Sequence, residues 1–278
     1  MTHAISPSPE PSPQSEGSPF RSVAPNYARF RAPYAPAALD HLVQACGLGE
    51  SSRVLDLGCG PGTLAIPLAR RVAEVVAVDP EAGMLVEARR LAAERGATNI
   101  QWLQCKAEDL PSDRASFHLV TMGQSFHWMD RDLTLGLLAK LICDGGAIAI
   151  LDQGRRRPQE SWEAPAAEVV SRFLGVAQRH PQKHWEREHE PSLRRSSRFW
   201  EFSTQEFAFE LTRDVGSILG CVLASVRVST SALGEKAPRL ERELTEVLLR
   251  LSPSGIFKER LEISVLIAQR KGEDARPR

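Results

Sequence analysis

The chain has 278 residues, 42% hydrophobic and 25% charged, with 35 basic residues balancing 35 acidic ones. This is the composition of an ordinary soluble protein, long enough for one large α/β domain with an insertion. A net charge of +0 supplies no electrostatic footprint for a polyanion, so nucleic acid is not an expected partner. Five scattered cysteines (Cys46, Cys59, Cys105, Cys143, Cys221) form no CxxC pair. They suggest neither a disulfide framework nor a zinc site, and they fit a reducing cytoplasm. No apolar run approaches the roughly 20 residues of a membrane helix, so no membrane contact is expected.

Residues 1–19 are rich in Pro and Ser and poor in large apolar side chains, which predicts a disordered tail ahead of one domain over 20–278. The tail lacks the basic start and apolar core of a secretory signal. After Tyr27–Tyr34, a helix is predicted over Pro36–Cys46. Proline suits a first helical position, and Leu39, Leu42, Val43 and Cys46 recur at helical spacing. Gly47 and Gly49 stop it. The first strand is Arg53–Leu57, then come a helix at Thr63–Arg71, a strand at Val75–Val78 and a helix at Gly83–Arg95. A third strand at Ile100–Gln104 and a fourth at Phe117–Met122 precede a helix at Leu133–Leu141. Gly145-Gly146 turns the chain into a fifth strand, Ala147–Leu151. Short apolar strands alternating with helices imply a parallel sheet covered on both faces.

The rhythm breaks at Arg155–Trp200, which is rich in Arg, His, Glu and Pro and holds a helical piece at Ala166–Gln178. Residues 155–203 are expected to form a helical cap over the site. The rhythm returns with the alternating Phe207, Phe209 and Leu211 in a strand at Gln205–Leu211. Helices near Val215–Ser225 and at Leu240–Leu251 and a last strand at Leu261–Ala268 follow, and Lys271–Arg278 is expected to fray.

The chemistry concentrates at Val54–Thr63, VLDLGCGPGT. A strand feeding a helix through glycines brings backbone N–H groups to the crevice at the carboxyl edge of a sheet. The glycines stand at Gly58, Gly60 and Gly62, a GxGxG spacing and not the GxGxxG of dinucleotide folds. Asp56, two positions before the first glycine, would repel a pyrophosphate but suits the ammonium of a methionine moiety. Asp79 ends the second strand, 19 residues after Gly60, where a carboxylate accepts ribose hydroxyls. Together they point to S-adenosylmethionine.

With VAVDPEAGM (Val76–Met84), AEDLP (Ala107–Pro111) and GQSFHWMD (Gly123–Asp130), these motifs resemble the class I S-adenosylmethionine-dependent methyltransferases, and within them the type 11, trans-aconitate methyltransferase-like group. The resemblance spans Tyr27–Leu151 and is weaker at the C-terminal strands. It implies a Rossmann-like, doubly wound, seven-stranded sheet, mostly parallel with the last strand antiparallel. It implies that Pro80 and Met84 pack on adenine and that the Ala107 backbone and Glu108 meet the adenine edge. Many relatives carry Asp just before that alanine. Here Lys106 stands there, so adenine recognition falls to Glu108 and the backbone.

Gly123–Asp130 follows the fourth strand, at the edge where a transferred methyl faces its acceptor. It lacks the Asn/Asp-Pro-Pro-aromatic run of enzymes that methylate planar amines and bases. It carries Gln124, assigned to the cofactor, and His127 and Trp128, assigned to catalysis. His-Trp resembles small-molecule carboxyl methyltransferases, which implies Trp128 as a donor orienting the acceptor and His127 as a donor or base. A carboxylic acid is already ionised at pH 7, whereas a hydroxyl needs a base. The expected activity is O-methylation of a carboxyl or hydroxyl group on a small organic molecule. C- or N-methylation of a small metabolite, or cofactor binding without catalysis, are the alternatives. The protein is expected to be a cytoplasmic monomer or homodimer.

Arg29 and Arg31 precede the first predicted helix, where one arginine suits the cofactor carboxylate as well as it suits solvent. His180, His184 and His189 are read as a polar cap surface, and no metal is expected because Pro181 disturbs their helical spacing. Phe199, Trp200 and Phe202 are expected to pack the cap onto the sheet or to line the acceptor pocket.

Overall fold

The computed structural model describes residues 23–111, 116–155, 162–175, 189–196, 201–224, 228 and 233–270. The expected tail, the C-terminal segment 271–278, His180, His184, Phe199 and Trp200 lie outside them. The strands are β1 Arg53–Leu57, β2 Glu74–Val78, β3 Ile100–Leu103, β4 Phe117–Gly123, β5 Ile142–Arg155, β6 Glu201–Asp214 and β7 Ile256–Gln269. The helices are α1 Ala24–Phe30, α2 Pro36–Ala45, α3 Ala65–Ala69, α4 Ala82–Glu94, α5 Arg131–Leu141, α6 Glu163–Leu174, α7 His189–Arg195, α8 Val215–Leu223 and α9 Ala237–Leu251.

One seven-stranded sheet runs β3-β2-β1-β4-β5-β7-β6. Six strands are parallel, and β7 is antiparallel to both neighbours. Strand order reverses between β1 and β4, and the carboxyl ends flanking such a reversal form the binding crevice of this architecture. The period of two along a strand divides the core between the faces. Val54 packs on the face covered by Leu39 and Leu42 of α2 and Leu68 of α3. Leu55 and Leu57 pack on the face covered by Leu135 and Leu138 of α5. Asp56 shares the Val54 face, where the parallel register puts Thr121 of β4 beside it.

The C-terminal strands are longer than the sequence pattern predicts. Leu151, Val265 and Gln205 stand level across the sheet with Gly123, where β4 ends. Beyond that level β6 and β7 continue as a paired ribbon to Asp214 and Ile256. The ladder's backbone hydrogen bonds sustain β6 where its outward side chains are polar and show no apolar alternation. Glu201, Glu206 and Glu210 on this edge strand also disfavour pairing with another chain.

A third core lies on this ribbon. Ala166 and Val169 of α6, Ile218 and Leu223 of α8, the stripe Leu240, Leu244 and Leu248 of α9, and Phe257 of β7 pack together. The residues at intervals of four give α9 one apolar face. The expected cap contributes α6 to this body but not α7, whose Leu193 joins the α5 face of the sheet. The helical body therefore extends past 155–203, and β5 and β6 occupy the ends of that range.

Residues 24–30 form a helix of only seven residues, one not among the predicted elements. Tertiary contacts hold them: the Phe30 ring lies so close to α8 that a Cβ on Gly220 would stand 2.2 Å from its Cδ2. Arg213 Nη1 donates to Phe30 O at 3.2 Å, and Arg213 Nε pairs with Glu259 at 2.6 Å, both side chains buried toward the far end of the ribbon. No described helix is long and apolar enough to cross a membrane.

Candidate active site

Two adjoining cavities open at the carboxyl edge beside β1 and β4. The outer one, about 630 Å³, is walled by Asp79, Pro80, Met84, Ala107, Glu108 and Trp128 among others. The inner one, about 30 Å³, is walled by Arg31, Tyr34, Asp56, Thr63 and Leu64 among others. Tyr27, Gly58, Gly60, Gly123 and Gln124 belong to both.

The glycines divide their work. Gly60 has φ +54°, and a Cβ on it would meet nothing within 4 Å, so it presents open backbone to the cavities. Gly58 is needed for packing, because a Cβ there would stand 2.4 Å from the Cβ of Ser125. Ser125 Oγ donates to Leu57 O at 2.6 Å and fixes the post-β4 loop over the end of β1. Gly62 lines neither cavity. Its neighbours are Ile66 and Trp102, each within 2.9 Å of a would-be Cβ, so the absence of a side chain serves packing here.

Asp79 accepts from Gly60 N at 2.8 Å and Glu81 N at 2.9 Å. Burial raises its pKa to about 6 against the pull of these donors. Asp56 accepts from Thr121 Oγ1 at 2.7 Å and Ala65 N at 3.1 Å. Burial lifts it to about 7, with Asp79 adding to the rise. Burial also pushes the Tyr34 phenol up. A second charge faces the same small space, the guanidinium of Arg31.

Gln124 takes φ +56°, a costly conformation for a residue with a Cβ. Its N–H donates to Leu151 O at 3.0 Å. Its Nε2 donates to Asp152 at 3.1 Å, and its Oε1 faces Arg31 Nη2 at 3.5 Å. Glu108 lines the outer cavity, with one carboxylate oxygen accepting from Asp130 N at 2.7 Å. Asp130 in turn caps α5 through Leu133 N. Trp128 is 69% exposed at the cavity wall. His127 is in neither wall; it stacks on Trp128 with ring centroids 5.2 Å apart. The predicted catalytic pair is thus one cavity residue with its neighbour behind it.

Sequence reasoning missed Ser125, Met129 and Asp152, all at the carboxyl edge, a position that flags an acidic residue such as Asp152. His189, expected on a polar cap surface, is instead 1% exposed, stands 3.4 Å from Asp152 and packs on Phe126, because α7 docks on the α5 face of the sheet. Among the described residues no group of three or more His, Cys, Asp or Glu is placed to hold a metal.

Residues 54–146 match the family model described as a methyltransferase domain. An uncharacterized methyltransferase of Mycobacterium tuberculosis is 33% identical over 55% of this chain and 59% of its own length. A 23S rRNA (uracil(1939)-C(5))-methyltransferase of Stenotrophomonas maltophilia is 37% identical over 41% of this chain and 22% of its own. A ubiquinone biosynthesis O-methyltransferase of Alkalilimnicola ehrlichii is 32% identical over 50% and 57%. The chain thus spans less than two thirds of each of these relatives. Among solved structures, a SAM-dependent methyltransferase of Thiobacillus denitrificans in complex with S-adenosyl-L-homocysteine shares the fold, with TM-score 0.50 and 19% identity over 89% of this chain and 97% of that one. Residues 54–146 thus match a methyltransferase domain, and the seven-stranded sheet around them has the fold of that solved structure.

Proposed function

We propose that the whole protein is an S-adenosylmethionine-dependent methyltransferase of a small organic molecule, transferring the methyl to a carboxyl or hydroxyl oxygen. The observation that carries the cofactor assignment is the pairing of Asp56 with Arg31 in one small pocket beside Asp79. Opposite charges there match the ammonium and carboxylate of an amino-acid end, and Asp79 in the adjoining wall offers a carboxylate to ribose hydroxyls. The open face of Gly60 leaves room for a ligand against the backbone. Pro80, Met84 and Ala107 offer a flat apolar slot for adenine, and the thioether of Met84 adapts to a ring face.

The cofactor supplies an electrophilic methyl on a sulfonium. The protein's task is alignment of the acceptor oxygen and exclusion of water. Trp128 Nε1–H is the donor offered to an acceptor carboxylate, and its exposed ring suits coverage by that substrate. An ionised carboxylate needs no base, which agrees with His127 standing outside the cavity walls. A hydroxyl acceptor would need its proton moved by another group, so the carboxyl is preferred.

The test has two arms. Calorimetry with S-adenosylhomocysteine and with NAD is expected to show binding of the first alone; binding of NAD alone overturns the assignment. Transfer of labelled methyl to a panel of carboxylic acids, phenols, amines and RNA then identifies the acceptor. RNA is included because of the rRNA-modifying relative. No transfer to any of them favours a cofactor-binding protein without catalysis.

A further inference from the structure

Gln124 belongs to both cavity walls and is held in a left-handed conformation, so what fixes its side chain bears on the site. Its amide has two different ends. Asp152, when ionised, only accepts hydrogen bonds, so the Gln124 Nε2 must face it and the Oε1 must face away. The distances agree: Nε2 lies 3.1 Å from Asp152 Oδ1, and Oε1 lies 3.5 Å from the Nη2 of Arg31. On the far side of Asp152, Oδ2 lies 3.4 Å from His189 Nε2. That imidazole is 1% exposed, and neither of its nitrogens makes a well-formed hydrogen bond among the described residues. Asp152 is a polar neighbour of this buried imidazole, and the Phe126 ring packs against it. The next residue, Gln153, donates to Pro33 O at 3.1 Å and ties the segment carrying Arg31 to the same strand end.

We propose that Asp152 and His189 are positioning residues: they fix the Gln124 amide with its oxygen toward Arg31, and so aim the guanidinium at the carboxylate of the cofactor's amino-acid end. The inference rests on the cofactor assignment above. It gives the segment after β5 a part in cofactor selection that does not depend on covering the site. The order of the row matters. The guanidinium, the amide and the carboxylate alternate donor to acceptor, and the imidazole stands 3.4 Å from the carboxylate's other oxygen. Replacing the carboxylate by an amide removes the rule that orients Gln124, since Asn offers either end.

The experiment compares two ligands on the intact chain. S-adenosylhomocysteine carries the α-amino-acid end; 5′-methylthioadenosine retains the adenosyl part and lacks it. The wild-type protein is expected to bind the first more tightly. Asp152→Asn is expected to weaken S-adenosylhomocysteine by about tenfold, the scale of one weakened charge-assisted hydrogen bond, with methylthioadenosine changed less than about twofold. His189→Gln should act in the same direction with a smaller loss. Because both ligands share the adenosyl site, a merely structural defect would weaken them together. Equal losses for both ligands, or no loss for either in both variants, overturn the proposal. Wild-type protein that binds both ligands without preference overturns the Arg31 assignment and this inference with it. Wild-type protein that binds neither ligand overturns the methyltransferase reading itself, an outcome distinct from the others.

Discussion

The two buried carboxylates predict an unusual dependence of stability on pH. Asp56 has a folded pKa of about 7 and Asp79 of about 6, both above the ordinary 3.8. A group whose folded pKa is raised binds its proton more tightly when folded. Its contribution to stability is full below about 3.8 and is lost as pH rises through the folded value. The ligand-free protein should therefore lose stability between pH 5 and 8. Raising a carboxyl from 3.8 to about 7 corresponds to on the order of 4 kcal/mol. For Asp56 roughly 3 kcal/mol of that falls between pH 5 and 8, or several degrees in melting temperature for a chain of this size. The isosteric Asp56→Asn should flatten the slope. A ligand with an ammonium group should flatten it too, because it favours the ionised form of Asp56. Affinity for S-adenosylhomocysteine should then rise from pH 5 to 7, by up to about tenfold per pH unit for each proton released. Melting curves across that range, with calorimetry in buffers of different ionisation enthalpy, measure both effects. If Asp56→Asn kept the wild-type slope, or ligand-free stability rose steadily with pH, the argument from burial would be refuted.

Three further perturbations separate packing from function. Gly58→Ala should cost about 1–3 kcal/mol in urea unfolding, because its Cβ would overlap Ser125, while Gly60→Ala, facing open space, should weaken S-adenosylhomocysteine roughly tenfold with a smaller stability loss; the reverse pattern would mean the cavity is misassigned. Gly220→Ala should displace the Phe30 ring and destabilise by about 1–3 kcal/mol, with Phe30→Leu in the same chain recovering part of it. Trp128→Ala should raise the acceptor KM by roughly tenfold and leave the melting temperature and cofactor affinity unchanged, since the ring is exposed; a fall in melting temperature would make the ring a packing element.

The sheet was legible because its strands are buried on both faces and its turns carry glycine. Val75–Val78 and Phe117–Met122 are apolar runs bounded by Asp79 and Gly123, and both strand ends fall within a residue of their predicted positions. The cavity lining at the strand ends was legible for the same reason: Asp56, Gly58, Gly60 and Asp79 are tied to those ends by sequence spacing alone. What could not be read depends on contacts between distant segments. The seven-residue α1 helix is held by the meeting of Phe30 with Gly220, about 190 residues on, a contact no local pattern records. The ribbon formed by β6 and β7 extends by mutual pairing past the alternating Phe207, Phe209 and Leu211, through positions such as Arg213 and Glu259 that no apolar pattern marks. Gly62 was assigned by spacing to the cofactor, but β3 places Trp102 against it. His189 sits in a polar stretch of sequence, yet its own ring is buried beside Asp152.

The features of this chain that are unfavourable in the ligand-free protein gather around one cavity. Gln124 holds a left-handed backbone at a cost on the order of 1–2 kcal/mol. Asp56 and Asp79 are carboxylates removed from water, and Trp128 holds a large ring in it. Scattered over the molecule, these would be local defects with separate causes. Gathered at the end of β1, β2 and β4, they have complementary remedies: a cation for Asp56, hydroxyl donors for Asp79 and an organic surface for Trp128. A cofactor with an amino-acid end and a ribose supplies the first two, and an acceptor molecule supplies the third. The stability that the ligand-free protein forgoes at neutral pH is thereby coupled to binding, so the same substitutions that make it more stable alone should make it bind less well.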